Sequence, residues 1–141
     1  MILDDKYPNT RGPAVRSTDK YERIKTHTDV LDECFKHFEI NQVIEHGMGN
    51  SSTQYFHATG RDFKSIENVP QWRICKSCDD PNFKIKHRIF GIEDVDLVFT
   101  GVKNNLLVFI DGPGIERESI LRLSIKHNAS IVVEHDAETF T

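Results

Sequence analysis

Apolar and polar positions along the chain change period several times, and each change marks an element. Tyr21, Ile24, Thr28, Leu31, Phe35 and Phe38 recur at three- and four-residue intervals, the single stripe of an amphipathic helix. Asp19, with Glu22 three residues on, has the spacing of a capping box and opens that helix. Ahead of it, Pro8, Gly12 and Pro13 interrupt any periodicity, so residues 1–17 read as an extended or irregular arm. Gln42 to Glu45 is a short β-prone run stopped by His46-Gly47. A second helix fits Ser51 to Thr59, with Gly60 in the position that ends helices in a left-handed residue. Phe63 to Glu67 is a second strand, after which Asn68 and Pro70 are good helix-start residues for a helix continuing over Gln71 to Cys78.

The remaining pattern is less uniform. Lys84 to Phe90 fits a third strand. Asp94 to Val102 reads two ways, because Val95, Leu97 and Phe99 alternate like a strand while the segment also suits a short helix. Leu106 to Ile110 is the most apolar run, and its lack of alternation predicts a strand buried on both faces. A helix over Glu116 to His127 carries Lys126 and His127 at its C-terminus, where the helix dipole favours positive charge. Ile131 to Val133 is a last strand. Strands alternating with helices predict an α/β fold: a Rossmann-like, mostly parallel sheet of about five strands with helices on both faces. Residues 18–141 form this one domain behind the arm. In such sheets ligands sit at the carboxyl ends of the strands, near the switch in strand order.

Composition narrows the function without choosing it. The 141 residues suit one domain, and 38% hydrophobic with 28% charged residues is ordinary for a water-soluble protein. No apolar run approaches the roughly 20 residues of a membrane helix, and the polar start of the chain has no secretory leader pattern, so a cytoplasmic protein without membrane partners is expected. A net charge of −4 argues against a nucleic-acid partner. Arg11, Arg16, Lys20, Arg23 and Lys25 make the N-terminal stretch locally basic, which suits a solvated arm and helix face, or a cap over an anionic ligand. Cys75-Lys-Ser-Cys78 is a lone CxxC with at most His87 as a third ligand. A structural zinc needs four, so these cysteines read as packing residues.

The chemistry is expected at the strand ends. After the first strand comes Glu45-His46-Gly47-Met48-Gly49-Asn50-Ser51-Ser52. Two glycines one residue apart allow a tight turn and a close backbone approach to a ligand. The following helix aims its first N–H groups at the same place. A dinucleotide fingerprint requires a third glycine where Ser52 stands. Glu45 is placed to accept hydrogen bonds from a ligand ammonium, directly or through water. Bland readings stand beside these: a plain turn for Gly47 and Gly49, a surface acid flanking a helix for Glu67, an Asp-Gly-Pro turn at Asp111, and a solvated tail for His135 and Asp136.

This ordered set resembles class I S-adenosylmethionine (SAM)-dependent methyltransferases. Glu45-x-Gly47-x-Gly49-x-Ser51-Ser52 is similar to their first motif in its Ser-Thr variant, with Ser52 in place of the more usual threonine. Ile66-Glu67 resembles the end of their second strand, whose acid grips both ribose hydroxyls. Val108 to Pro113 and Ile131 to Asp136 resemble the fourth and fifth strands with their polar ends. The resemblance implies SAM as cosubstrate, held by Glu45, Gly47, Gly49, Ser51, Ser52, Glu67 and Asp111. Asn68 follows as a further cofactor-binding residue, and Trp72, Ile92 and Glu93, in the segments after the second and third strands, are expected near the adenine from the topology. The N-methyltransferase Asn/Asp-Pro-Pro-aromatic motif is absent, which directs the expectation to an O-linked, small-molecule acceptor. In relatives of this pattern, acids after the fourth and fifth strands bind a divalent metal. That implies Asp111 and Asp136 as ligands of Mg²⁺ or Mn²⁺ and His135 as general base.

Relatives add sixth and seventh strands, and a chain ending at Thr141 implies a shortened form. The alternatives are a SAM-binding or SAM-consuming protein without methyl transfer, and a degenerate Rossmann module acting through protein contacts. An uncovered fifth strand implies a homo-oligomer built near residues 131–136.

Overall fold

The computed structural model describes residues 28–73 and 87–135. The arm, the capping box at Asp19, the Cys75/Cys78 pair and Asp136 lie outside those residues. Helix α1 (28–37) leads into β1 (Gln42–His46), α2 (Asn50–Thr59), β2 (Asp62–Ile66), a 3-10 turn at Pro70–Trp72, and β3 (Arg88–Phe90). A second 3-10 turn (Ile92–Asp94) runs into α3 (Val95–Phe99), followed by β4 (Leu106–Ile110), α4 (Gly114–Lys126) and β5 (Ile131–Glu134). All strand pairs are parallel, in the order β3-β2-β1-β4-β5. The order reverses between β1 and β4, so the crevice above these two strands is the topological switch point.

The pleat sends alternate residues of each strand into two separate cores. Val43, Phe63, Leu107 and Phe109 face one side, where α1 supplies Leu31 and α2 supplies Tyr55 and Phe56. Ile44, Ile66, Leu106, Val108 and Ile110 face the other, against Val98 and Phe99 of α3 and Ile120 of α4. β1 and β4 are buried at every position. For β4 this is the double-sided burial that its unbroken apolar run predicts. β1 reaches the same burial with polar residues: Glu45 points into the first core and His46 to the second face, and neither is exposed.

Several boundaries differ from expectation. α2 begins at Asn50, one residue early, and Gly60 ends it at φ 75°, the left-handed conformation its position predicts. β2 stops at Ile66, leaving Glu67 just beyond the strand. The helix expected after Pro70 is a single 3-10 turn as far as Trp72, closed by Arg73 N–H on the Pro70 carbonyl, and residues 74–86 lie outside the described part. β3 is limited to Arg88–Phe90. The ambiguous segment is helical. Lys64 extends its buried stem along the sheet and donates from Nζ to the Val98 carbonyl at 3.0 Å, satisfying one of the carbonyls that the short α3 leaves open. α4 starts two residues early, at Gly114, behind Pro113. Phe38, expected on the apolar stripe of α1, falls past the end of that helix and is 53% exposed.

Candidate functional site

The loop after β1 is built by its own residues. Gly47 has φ +87°, and a Cβ there would lie 2.7 Å from the backbone of Gly112. A Cβ on Gly112 would in turn meet the His46 ring at 2.5 Å. The β1 and β4 loops therefore touch backbone to backbone, and both glycines are required by that approach. Each amide of the turn has a protein acceptor: Gly47 N–H donates to the Ile66 carbonyl, Met48 N–H to Glu67 Oε1 at 2.9 Å, and Gly49 N–H to Thr53 Oγ1 at 3.1 Å.

Glu67 thus joins the β1 loop to its own. Its Oε1 takes Met48 and its Oε2 takes Val69 N–H at 3.1 Å. A carboxylate has about four acceptor sites, so two hydrogen bonds leave capacity for a hydroxyl pair.

Glu45 is placed differently from its expected role. It is fully buried on the α2 face, and three hydroxyls donate to it: Ser52, Thr53 and Ser65. Burial pushes its carboxyl up to about 8, against the lowering effect of those donors. In this arrangement it supports the loop from beneath; it does not present a carboxylate to a ligand.

Across the crevice, Gly112 N–H donates to His46 Nδ1 and His46 Nε2 lies 2.9 Å from Glu116 Oε1. Those two contacts assign the proton to Nε2. Burial holds the His46 imidazole below the usual histidine range, so it stays neutral near pH 7. The other oxygen of Glu116 accepts from Asn68 Nδ2, and Asn68 Oδ1 accepts from Ile92 N–H. This chain spans the ends of β1, β2 and β3. Neither His46 nor Glu116 was expected from the sequence. Their one signal was position, directly before Gly47 and in the first turn after Pro113.

A third group lies at the ends of β4 and β5. His135 Nδ1 is 2.9 Å from Asp111 Oδ1. Arg117 is buried between the two strands and donates to the carbonyls of Gly112 and His135 and to Glu134, with its guanidinium 3.9 Å from Asp111. The predicted Asp111 and His135 are therefore in contact, and Arg117 is the member that sequence reading missed. The guanidinium puts a positive charge beside Asp111. Among the described residues no group of three His, Cys, Asp or Glu side chains could hold a metal ion. Asp136, the second ligand expected, lies outside the described residues, and we derive no step through a metal.

Of the expected adenine neighbours, Ile92 packs partly into the second core, Glu93 is exposed, with its carboxylate over Gly91, and Trp72 is half-buried on its 3-10 turn. Ser51 is half-buried at the start of α2.

No family model, no curated protein and no solved structure matches the chain.

Proposed function

We propose that this chain binds SAM in the crevice above the touching β1 and β4 loops and transfers its methyl group to a hydroxyl of a small molecule. The observation that carries this reading is the division of labour at the loop. The amides of Gly47, Met48 and Gly49 are taken by protein acceptors. A phosphate-binding loop instead offers such amides to its ligand. The acidic side chains at these strand ends are Glu67, with acceptor capacity left for a diol, and Glu116, held by two neutral donors. That chemistry suits a cationic nucleoside with free ribose hydroxyls better than a dinucleotide.

When bound, SAM supplies an electrophilic methyl group on a sulfonium. The chain's own tasks are to hold the nucleoside and to unmask the acceptor oxygen. Glu67 accepts from the ribose hydroxyls, while Trp72 and Ile92 flank the base. Asp111 accepts from His135 Nδ1–H, which fixes the tautomer that leaves Nε2 basic, and that nitrogen takes the acceptor's hydroxyl proton. Arg117, held by the Gly112 and His135 carbonyls, keeps a positive charge beside Asp111.

The test is calorimetry with SAM and S-adenosylhomocysteine, followed by a methyl-transfer screen over small hydroxylated acceptors. A buried charge-assisted hydrogen bond is worth about 1.5–3 kcal/mol, so Glu67→Ala should weaken binding tenfold or more. Unchanged affinity in a folded Glu67→Ala variant would remove the assignment. Tight binding with no transfer to any acceptor would favour the SAM-binding reading over the enzyme.

A further inference from the structure

A continuous line of buried side chains runs beneath the glycine loop on the α2 face. His57 Nε2 lies 3.0 Å from His87 Nδ1, His87 Nε2 lies 2.7 Å from Ser65 Oγ, and Ser65 donates to Glu45 Oε1 at 2.7 Å. Glu45 next takes Thr53 Oγ1 at 3.0 Å, and Thr53 Oγ1 accepts the Gly49 amide. Each member is at least nine-tenths buried. The sheet register sets Ser65 directly beside Glu45, and His87 stacks on Phe63 at 4.1 Å. Such a line costs free energy in a core unless every member is satisfied, and its far end is the residue that shapes the loop.

We propose that Glu45 is the positioning residue of the glycine loop, acting through Thr53, and that a proton held on the Glu45–Ser65–His87–His57 line sets how firmly Gly49 is fixed. The chemistry follows from donor direction. With Glu45 ionised, Ser52, Thr53 and Ser65 all point their hydrogens at it. Thr53, polarised by that bond, is the better acceptor for Gly49 N–H. With Glu45 protonated, its O–H must donate to one of those hydroxyls, which then turns its own hydrogen away. If Ser65 receives it, Ser65 donates to His87 Nε2, and both imidazoles exchange the nitrogen that bears hydrogen. The balance is one proton: it is taken up from solvent at the His57 end, each hydrogen on the line moves one place on, the donor sense reverses, and the negative charge of Glu45 is cancelled.

Ser52 and Thr53 from α2 and Ser65 from β2 contact Glu45; His87 ahead of β3 and His57 from α2 follow behind Ser65, and the charge of Asp111 beyond β4, with its partners Arg117 and His135, also acts on Glu45. The raised Glu45 carboxyl, at about 8, puts the change within reach of ordinary buffers.

The importance of Gly49 rests on the SAM reading, so the primary readout uses no ligand. Amide shifts and hydrogen exchange of Met48 and Gly49 are followed by NMR from pH 6 to 9.5. In the native chain the Gly49 resonance should titrate with a midpoint near 8, and its exchange, corrected for pH, should slow severalfold above it. Glu45→Gln and Thr53→Val should each flatten that titration, and Thr53→Ser should restore it. A flat Gly49 profile in the native chain overturns the proposal. So does a titration that survives in folded Glu45→Gln, which would assign it to the histidines. A titrating loop in a chain that binds no SAM at any pH upholds the switch and removes the SAM reading alone.

Discussion

Gly47 carries the most demanding backbone position of the site. Its positive φ and its contact with Gly112 both exclude a side chain. Gly47→Ala should therefore cost stability by about 1–3 kcal/mol, read as a lower urea midpoint with unchanged m-value. Asp111 and His135 give a second test at this scale. If His135 is the base, His135→Ala should lower transfer about 10²-fold or more while leaving SAM affinity close to native. A fall in affinity with turnover intact would reassign His135 to binding. Individual residues were unevenly legible in the sequence. The turn at Gly47 and the strand-end positions of Asp111 and His135 could be anticipated, because turn chemistry and strand-end position are local properties; the hydrogen bond between Asp111 and His135 could not. Glu45 could not, because a carboxylate two residues before a glycine looks the same whether it faces a ligand or a core. Its fate was decided by Ser65, twenty residues away, and by the hydroxyls on α2. Arg117 and Glu116 escaped for the same reason: on a helix they read as surface charge, and partners on β1 and β5 fix them instead.

Among elements, β1 stands out, because a central strand with Glu45 and His46 fully buried violates the ordinary pattern of a parallel sheet. The consequence is a pH dependence with a definite sign. Glu45 is raised from its usual 4.5 to about 8 in the fold. Between those values the folded chain keeps a proton that the unfolded chain has released. The stabilisation is full below the lower value and is lost as pH rises towards the upper one. Urea denaturation should thus show native stability falling from pH 5 to pH 8, and Glu45→Gln should flatten much of that slope. A native profile that rises over the interval would contradict the assigned burial. The same ionisation that lowers global stability sharpens the hydrogen bond to Thr53, so loop order and overall stability should move in opposite directions. β4, an unbroken apolar run, was predicted to the residue, and α4 to within two. Short ones were not. β3 has three residues and α3 five, too few for a period to declare itself, and α3 takes a hydrogen bond from Lys64 on β2.

Over the whole molecule, the strand order puts β3 and β5 at the edges of the described sheet. Ile131, Val132 and Val133 are half-buried, and β5 is hydrogen-bonded to β4 along one side. Its β-branched run Ile131 to Val133 is a template for pairing, and we expect self-association through it. Sedimentation at several concentrations should show a dimer or larger species that Val132→Lys shifts towards the monomer. A monomer at tens of micromolar, indifferent to Val132→Lys, would count against that edge. The α/β class and the two-faced packing were readable because alternation of strand and helix is a property of the entire chain. The crevice was readable as a place, from the switch in strand order, but its inner wiring was not.

The contact between Gly47 and Gly112 welds the floor of the crevice. Strands β1 and β4 are the central pair, and their loops are locked by two backbone segments with no side chain between them. A ligand cannot enter by prising these loops apart. The yielding side is the other one, where the exposed Asn68 bridges Glu116 and Ile92 through single hydrogen bonds. Traffic in and out of the pocket should therefore pass over residues 68–73 and 92–94, with the floor acting as a fixed anvil. The nucleoside end of a guest would then be the last part to seat and the first to leave.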